Sequence, residues 1–373
     1  MRFTQLPLAL AIAAQALPLA YAAEPFKPLG SALSESVFSN NMLIVSDGVR
    51  YANNTFNVLK QFFQLNLTTS WTSDAPAWAP CTARKTGANE QQGTAAFLKG
   101  SDQVLFMTNN STFKYRVKTD DWDKNFTMNW EYPAFTGGAV TDTDTGLIYG
   151  IERQEGSTKA TWRFTELDAT TGQSSYVEVP RRPDPNAWTS MVYSSSGKSI
   201  FGYEDGGIAA NITSLLVYNI ATKVWAAVNA TGDIPSVRSG SCFVGADNGK
   251  KLILAGGRSV NDNITYNDVF IYDVATSVWS KLTNAPRPAW GAVCATSGDS
   301  LIYWGGTNTK GDVNTSNDEG PAILNIASNT WGTRFTPPGQ TPKDPSSAAH
   351  LALSKVGLVA MTVMAVAASN LVL

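Results

Sequence analysis

The chain has 373 residues, with 28 Lys and Arg against 30 Asp and Glu and a formal charge of −2. That balance excludes a nucleic-acid binder acting through a clustered basic surface. Hydrophobic residues make up 43% and charged ones only 16%, enough apolar material for a large core with few ions to keep it soluble; attached sugar would supply that solubility.

Residues 1–22, "MRFTQLPLALAIAAQALPLAYA", open with the basic Arg2, continue as an apolar stretch from Leu6 and end on Ala20-Tyr21-Ala22. This pattern predicts a secretory signal peptide that the mature protein lacks. Pro7 and Pro18 disfavour the alternative of a buried helix.

Six apolar runs follow at similar intervals: "MLIVSD" at 42, "VLFMTN" at 104, "LIYGIE" at 147, "SIFGYE" at 199, "LILAGG" at 252 and "LIYWGG" at 301. Each is succeeded by a second β-rich run that closes on a fixed position. Those positions are Trp71, Trp122, Ser174, Trp225, Trp279 and Trp331, the last three 54 and 52 residues apart. In "LLVYNIATKVW", "VFIYDVATSVW" and "PAILNIASNTW" the Trp stands seven places after Tyr218, Tyr272 or Leu324. A repeat of this length with turn residues between short apolar runs predicts four strands per unit, stacked radially as the blades of an all-β propeller over residues 30–336. Six blades fit the spacing, with seven as the alternative. The repeated Trp would open the outer strand and fill the wedge between blades.

Pro337, Pro338, Pro342 and Pro345 begin a stiff Pro/Ser-rich linker over 337–355. The last segment, 356–373, is a hydrophobic tail with no basic residues after it. Small residues at 346–349, a spacer and an apolar end match the signal for a glycolipid (GPI) anchor, placed at Ser347. A retained membrane span is the alternative.

Nine Asn-x-Ser/Thr sequons lie between the ends, at Asn53, Asn66, Asn109, Asn110, Asn125, Asn211, Asn229, Asn263 and Asn314. Behind a signal peptide they become glycosylation sites on surface loops. Three cysteines, Cys81, Cys242 and Cys294, are too few for a disulfide framework. Cys242 and Cys294 occupy corresponding places in neighbouring repeats, which fits either a bridge or two small buried side chains.

The combination of an apolar run, Gly-Gly, Tyr-Asp and Trp resembles the Kelch repeat. It is sharpest in the last two units, with Gly256-Gly257, Tyr272-Asp273 and Trp279, then Gly305-Gly306 and Trp331. In the fourth unit Gly206-Gly207 comes late, the third has no Trp, and the first two lack the double glycine. The resemblance implies a Kelch-type propeller and raises the galactose-oxidase-like copper enzymes, which hold Cu(II) through imidazole as well as phenolate. The only histidine is His350, beyond the propeller. The copper oxidase is therefore excluded, together with zinc-hydrolase and Ser-His-Asp chemistry. No metal and no cofactor are expected. The stretch 307–320 carries Asp312, Asp318 and Glu319 but no calcium-loop spacing, and reads as a mobile loop.

Aromatic residues recur just before the predicted inner strands: Trp78, Phe135, Trp188 and Trp290, with Arg238 near the matching place in the fifth unit. Chain order in a propeller collects these with Arg287 and with Glu152 and Glu204, which follow second strands, on one face. Flat rings with a few charged anchors form a sugar- or peptide-binding surface; rings packed as core between blades are the competing reading. Glu152 and Glu204 also carry a glycosidase alternative, since paired carboxylates serve as acid and base. No residue pattern requires catalysis. The expectation is an extracellular binding or adhesion module at the plasma membrane or cell wall, recognising a glycan or a protein. A structural wall component is a further alternative.

Overall fold

The computed structural model describes residues 25–52, 55–83, 93–108, 112–123, 135–154, 161–178, 189–204, 215–259, 264–310 and 313–340. The predicted signal peptide, Ser347, the hydrophobic tail, Trp188, Gly206-Gly207, and the sequons at Asn53, Asn109, Asn110, Asn125, Asn211 and Asn263 lie outside them.

The described residues form strands and connections, with no helix among them. Six antiparallel sheets follow one another along the chain. The first contains Glu35–Ser39, Met42–Ser46, Phe62–Asn66 and Trp78–Pro80. The second contains Gly93–Phe97, Gln103–Thr108, Thr112–Arg116 and Asp121–Trp122. Phe135–Thr141, Ile148–Gln154, Thr161–Asp168 and Gln173–Glu178 make the third, and Thr189–Ser194, Ser199–Glu204, Leu215–Asn219 and Val224–Ala227 the fourth. In the fifth, Cys242–Ala246, Lys251–Ala255, Val269–Asp273 and Val278–Leu282 are joined by Thr231–Gly232, parallel to the outer strand. Val293–Ser297, Ser300–Trp304, Ala322–Asn325 and Thr330–Gly332 form the sixth.

The first strands of consecutive sheets neighbour each other around the axis, and that of the sixth returns to that of the first. The fold is a closed six-bladed β-propeller. An axial channel of about 1100 Å³ is lined from all six innermost strands, by Phe38, Ala96, Val140, Met191, Val244 and Cys294 among others.

The Tyr-to-Trp spacing of seven is a hairpin register. Tyr218 pairs with Trp225 and Tyr272 with Trp279, their rings 5.2 and 5.1 Å apart, and Leu324 pairs with Trp331. The turn between them is four residues long, and its chemistry repeats. Oδ1 of Asp273 accepts from the N–H groups of Ala275 and Thr276, while Ser277 takes a left-handed φ of 59°. Asn219 accepts from Thr222 N–H, and Asn325 from Ser328 N–H, in the same way. The repeated Trp also pins the linker arriving from the preceding blade. Trp122 Nε1 donates to the Thr82 carbonyl at 2.8 Å, and Trp331 Nε1 to that of Thr283 at 3.0 Å.

The double glycine has a steric cause. Gly256 and Gly257 have φ of 64° and 92°, and a Cβ on Gly256 would overlap the Tyr303 hydroxyl and the Ala289 carbonyl. Gly305 and Gly306 repeat the conformation, and a Cβ on Gly305 would overlap the Ser31 carbonyl.

One unit departs from the Trp spacing. In the first blade the outer strand is Trp78–Pro80, with Trp78 paired to Leu65. Trp71 instead stacks on Phe335 at 5.0 Å, and Trp71–Thr72 pairs with Arg334–Phe335. The cause is an eleven-residue connection between Asn66 and Trp78 where the other blades use a four-residue turn. It lets the outer edge of the first blade pair with the end of the chain's last blade.

Closure is made without a shared strand. Leu33 N–H donates to the Gly291 carbonyl at 2.9 Å and Gly306 N–H to that of Ser31 at 2.8 Å. The Arg50 guanidinium grips the Asp318 carboxylate through both nitrogens, the Nη2–Oδ2 bond being 2.6 Å, and Asp318 also accepts from Gly30 N–H. A disulfide joins Cys242 to Cys294, staples the innermost strands of the fifth and sixth blades, and has a Cα–Cα distance of 6.0 Å.

Candidate functional site

The antiparallel order fixes which connections share a face. Links from first to second and from third to fourth strands lie on one side, the turn face. Links from second to third strands and between blades lie on the other, the loop face. The turn face is built tightly: four residues separate the third and fourth strands in five of the blades, and two to six separate the first and second. The loop face carries much longer connections, up to the stretches between Ser46 and Phe62 and between Trp304 and Ala322.

Those two connections each contain a hairpin, Val49–Ala52 with Thr55–Val58 on the first blade and Thr307–Lys310 with Val313–Ser316 on the sixth. The hairpins are neighbours, and Tyr51 N–H donates to Ser316 Oγ at 2.9 Å. With the Arg50–Asp318 pair they form one wall on the loop face. The stretch 307–320, expected as a mobile loop, thus contains two paired strands, Thr307–Lys310 and Val313–Ser316: four paired residues on each arm outweigh its Asn, Ser and Gly content.

The expected site residues separate into three groups. Two belong to the core. Trp78 is 8% exposed, in T-shaped contact with Phe63 and Trp304 at 5.1 and 5.2 Å, so it fills the wedge between the first and sixth blades. Its place in the outer strand, rather than before an inner one, follows from the displaced register of the first blade. Arg238 is fully buried. Its guanidinium donates to the carbonyls of Ser236 at 2.9 Å and Gly256 at 3.0 Å and to both oxygens of Asp268, and stacks over the Tyr266 ring at 4.3 Å. Every arm of that guanidinium is occupied, so it braces the 256–268 connection and offers a ligand nothing.

A second group stands on the loop face. Arg287 lies at the sixth blade's rim, donating to Glu319 Oε2 at 2.9 Å and to the Gly320 carbonyl at 2.8 Å. Trp290 is half-buried, bridged through its backbone to Thr307 at the base of the hairpin. The Trp290 ring edge lies against Gly240, whose φ is 58°, and its Nε1 has no hydrogen-bond partner among the described residues. The backbones of Phe135, Glu152 and Glu204 also reach this face: Phe135 pairs with Glu152 where the inner strand of the third blade begins, and Glu204 ends the second strand of the fourth. Their side chains, and Trp188, lie outside the description.

The remaining residues are sequons. Asn229 is exposed on the linker into the fifth blade. Asn66 closes a strand, its Oδ1 accepting from the Thr68 N–H and hydroxyl at 2.7 Å each. Asn314 lies in the sixth-blade hairpin strand.

The hairpin wall was not anticipated. Its sequence signal was the length of the 47–61 and 305–321 stretches, each too long for a bare link, and in the first the alternation of "VRYANNTFNV" about an Asn-Asn turn. Two carboxyls and a thiol show how charge is set around these elements. Asp318 is held below the usual carboxylate range by the Arg50 guanidinium, against the opposing effect of burial. Asp273 is lowered by the N–H of Thr276. Burial pushes the Cys81 thiol up to about 11. Among the described residues no group of three His, Cys, Asp or Glu side chains converges on a common point.

Comparison with known proteins agrees with this architecture. Residues 187–363 match the KLHDC2/KLHL20/DRC7 Kelch-repeats domain. Human Kelch domain-containing protein 1 is 33% identical over 113 residues, 28% of this chain and 27% of that protein. The N-(sulfonatooxy)prop-2-enimidothioate sulfolyase of Thlaspi arvense is 26% identical over 183 residues, 46% of this chain and 51% of the enzyme. The chain thus matches about half the length of the sulfolyase and about a quarter of the human protein. Among solved structures, that of YjhT superposes with a TM-score of 0.57 over 83% of this chain and 98% of that one, at 16% identity, a likeness of fold. The chain folds as a six-bladed β-propeller, and its residues 187–363 resemble a Kelch-repeats domain.

Proposed function

We propose that this protein is a cell-surface binding module that recognises an extracellular protein or glycan through the loop face of its propeller. The observation that carries the reading is the asymmetry of the two faces. Apart from the 67–77 connection of the first blade, short turns close one side, while long connections, two added hairpins and the half-buried Trp290 concentrate on the other. Binding residues are disproportionately found on loops held by a rigid scaffold. The wall on the first and sixth blades stands beside a lower rim at the second, where only three residues separate Thr108 from Thr112. A partner would therefore rest against the hairpins and extend across the axis.

The extracellular address rests on the N-terminal leader, the sequons and the C-terminal tail. The Cys242–Cys294 bridge is consistent with it, since structural disulfides persist in oxidising compartments. A protein partner is the primary form of the proposal, because Kelch propellers generally bind proteins. A glycan is the second form, supported by Trp290, whose half-buried ring can stack on a sugar, while its Nε1 is buried against Gly240.

The test is capture by the purified ectodomain of probes on a printed oligosaccharide array and of extracellular proteins on a matched protein array. Capture lost in Trp290→Ala with an unchanged melting temperature supports the loop face. Capture unaffected by Trp290→Ala and by removal of the 49–58 hairpin contradicts it.

A further inference from the structure

The two ends of the described chain leave the propeller from opposite faces. At the N-terminal end, Gly30 and Ser31 are bound to Asp318 and Gly306 on the loop face, and the Leu29 carbonyl accepts from Gln61 just before a third strand begins. At the C-terminal end, Phe335 runs antiparallel to Trp71, and the chain then crosses to the turn face. Pro338 packs against Gly298 in the tight first turn of the sixth blade, and Gln340 Nε2 donates to the Thr68 carbonyl at 3.2 Å. Thr68 belongs to the turn face as well, because the adjoining Leu67 N–H donates to the carbonyl of Asn41, in the first turn of the first blade.

We propose, on the reading that the chain is lipid-anchored near Ser347, that the propeller is displayed in one orientation, with the turn face toward the membrane and the hairpin-bearing loop face outward. Ser347 lies only seven positions beyond Gln340. Fully extended they span at most about 25 Å. To turn the loop face downward, the tether would have to run the height of a five-residue strand and then past a four-residue hairpin arm. That is about 30 Å along the axis, before any sideways travel around the rim. The peptide part of the tether falls short of that path while it starts on the turn face, so the turn face is the side brought to the membrane and the surface available to a partner is the one that carries the long connections. The turns at Asn40–Asn41, Ser195–Lys198 and Asp247–Lys250 face the lipid.

The experiment uses the full chain on the surface of cells that make glycolipid anchors. A short epitope is placed between Lys310 and Val313 on the loop face, or within Ser195–Lys198 on the turn face, and whole antibody is applied before and after release by phosphatidylinositol-specific phospholipase C. The loop-face epitope should give equal signal in both states, and the turn-face epitope should gain several-fold on release. As a second measurement needing no insertion, a fluorophore at Asn248→Cys should transfer energy to a membrane dye more strongly than one at Asn308→Cys. Equal access of both epitopes on anchored protein, or stronger transfer from position 308, overturns the orientation while leaving the anchor intact. Protein that never associates with the membrane, shown by a loop-face epitope found only in the medium, overturns the anchor and the orientation together.

Discussion

The indole Nε1 of Trp331 donates to the backbone carbonyl of Thr283 across 3.0 Å, joining the outer strand of the sixth blade to the linker that leaves the fifth. The same linker is held from the other side, since Thr283 N–H and hydroxyl bond to Asn329. Trp331→Phe keeps most of the ring and removes the donor, so it should cost about 1 kcal/mol. Urea denaturation checks this, with the midpoint lowered and the slope unchanged. A midpoint equal to wild type would mean that the Trp acts by bulk alone.

Arg238 separates a structural role from a binding role. Removing a buried cation from its carboxylate leaves Asp268 unpaired, and Arg238→Ala should destabilise by about 3–5 kcal/mol. Thermal unfolding reads the loss directly. Ligand capture by the fraction that remains folded should match wild type; a specific loss of capture at unchanged stability would return Arg238 to the site.

The Arg50–Asp318 clamp gives ring closure a pH dependence. Asp318 titrates below its unfolded value, near 4, because Arg50 and the Gly30 N–H stabilise its carboxylate. Its contribution is therefore complete above the unfolded pKa and disappears as pH falls through the lower folded one. Both side chains are partly exposed, so the pair contributes about 0–1 kcal/mol. Asp318→Asn should lower the melting temperature slightly at pH 7, and the gap should narrow progressively as pH falls below the unfolded carboxyl value of about 4 and through the lower folded one. A gap constant across that range would assign the effect to packing.

Cysteine chemistry offers an independent check. With Cys242 and Cys294 bridged and the Cys81 thiol pushed up to about 11 by burial, the folded protein should resist alkylation at neutral pH. Mass spectrometry after iodoacetamide should find no adduct before denaturation and one after it. The double substitution Cys242→Ser, Cys294→Ser should lower stability by about 2–4 kcal/mol.

Most of the fold was legible because the propeller writes one hairpin register repeatedly. Tyr272 opposite Trp279 and Tyr218 opposite Trp225 impose a spacing that survives even where Ser174 replaces the Trp. The first blade was misread because Trp71 sits where that spacing predicts an outer strand, and only the long-range pairing with Phe335 claims it. The site was less legible. Position along a repeat puts Trp290 and Arg238 near the same ring of residues, yet one is a half-buried ring with its N–H turned against Gly240 and the other is sealed by Asp268, Ser236 and Gly256. Two of those partners, Gly256 and Asp268, lie 18 and 30 residues away, a contact that no local pattern encodes.

The central claim is that the loop face of this propeller is its recognition surface. The most direct measurement is binding of fluorescent ectodomain to the oligosaccharide and protein arrays, comparing Trp290→Ala with the turn-face substitution Asn248→Ala, each verified to melt as wild type does. The account predicts at least a tenfold loss of capture for Trp290→Ala and none for Asn248→Ala. Capture abolished by the turn-face change and preserved by the loop-face one would contradict it.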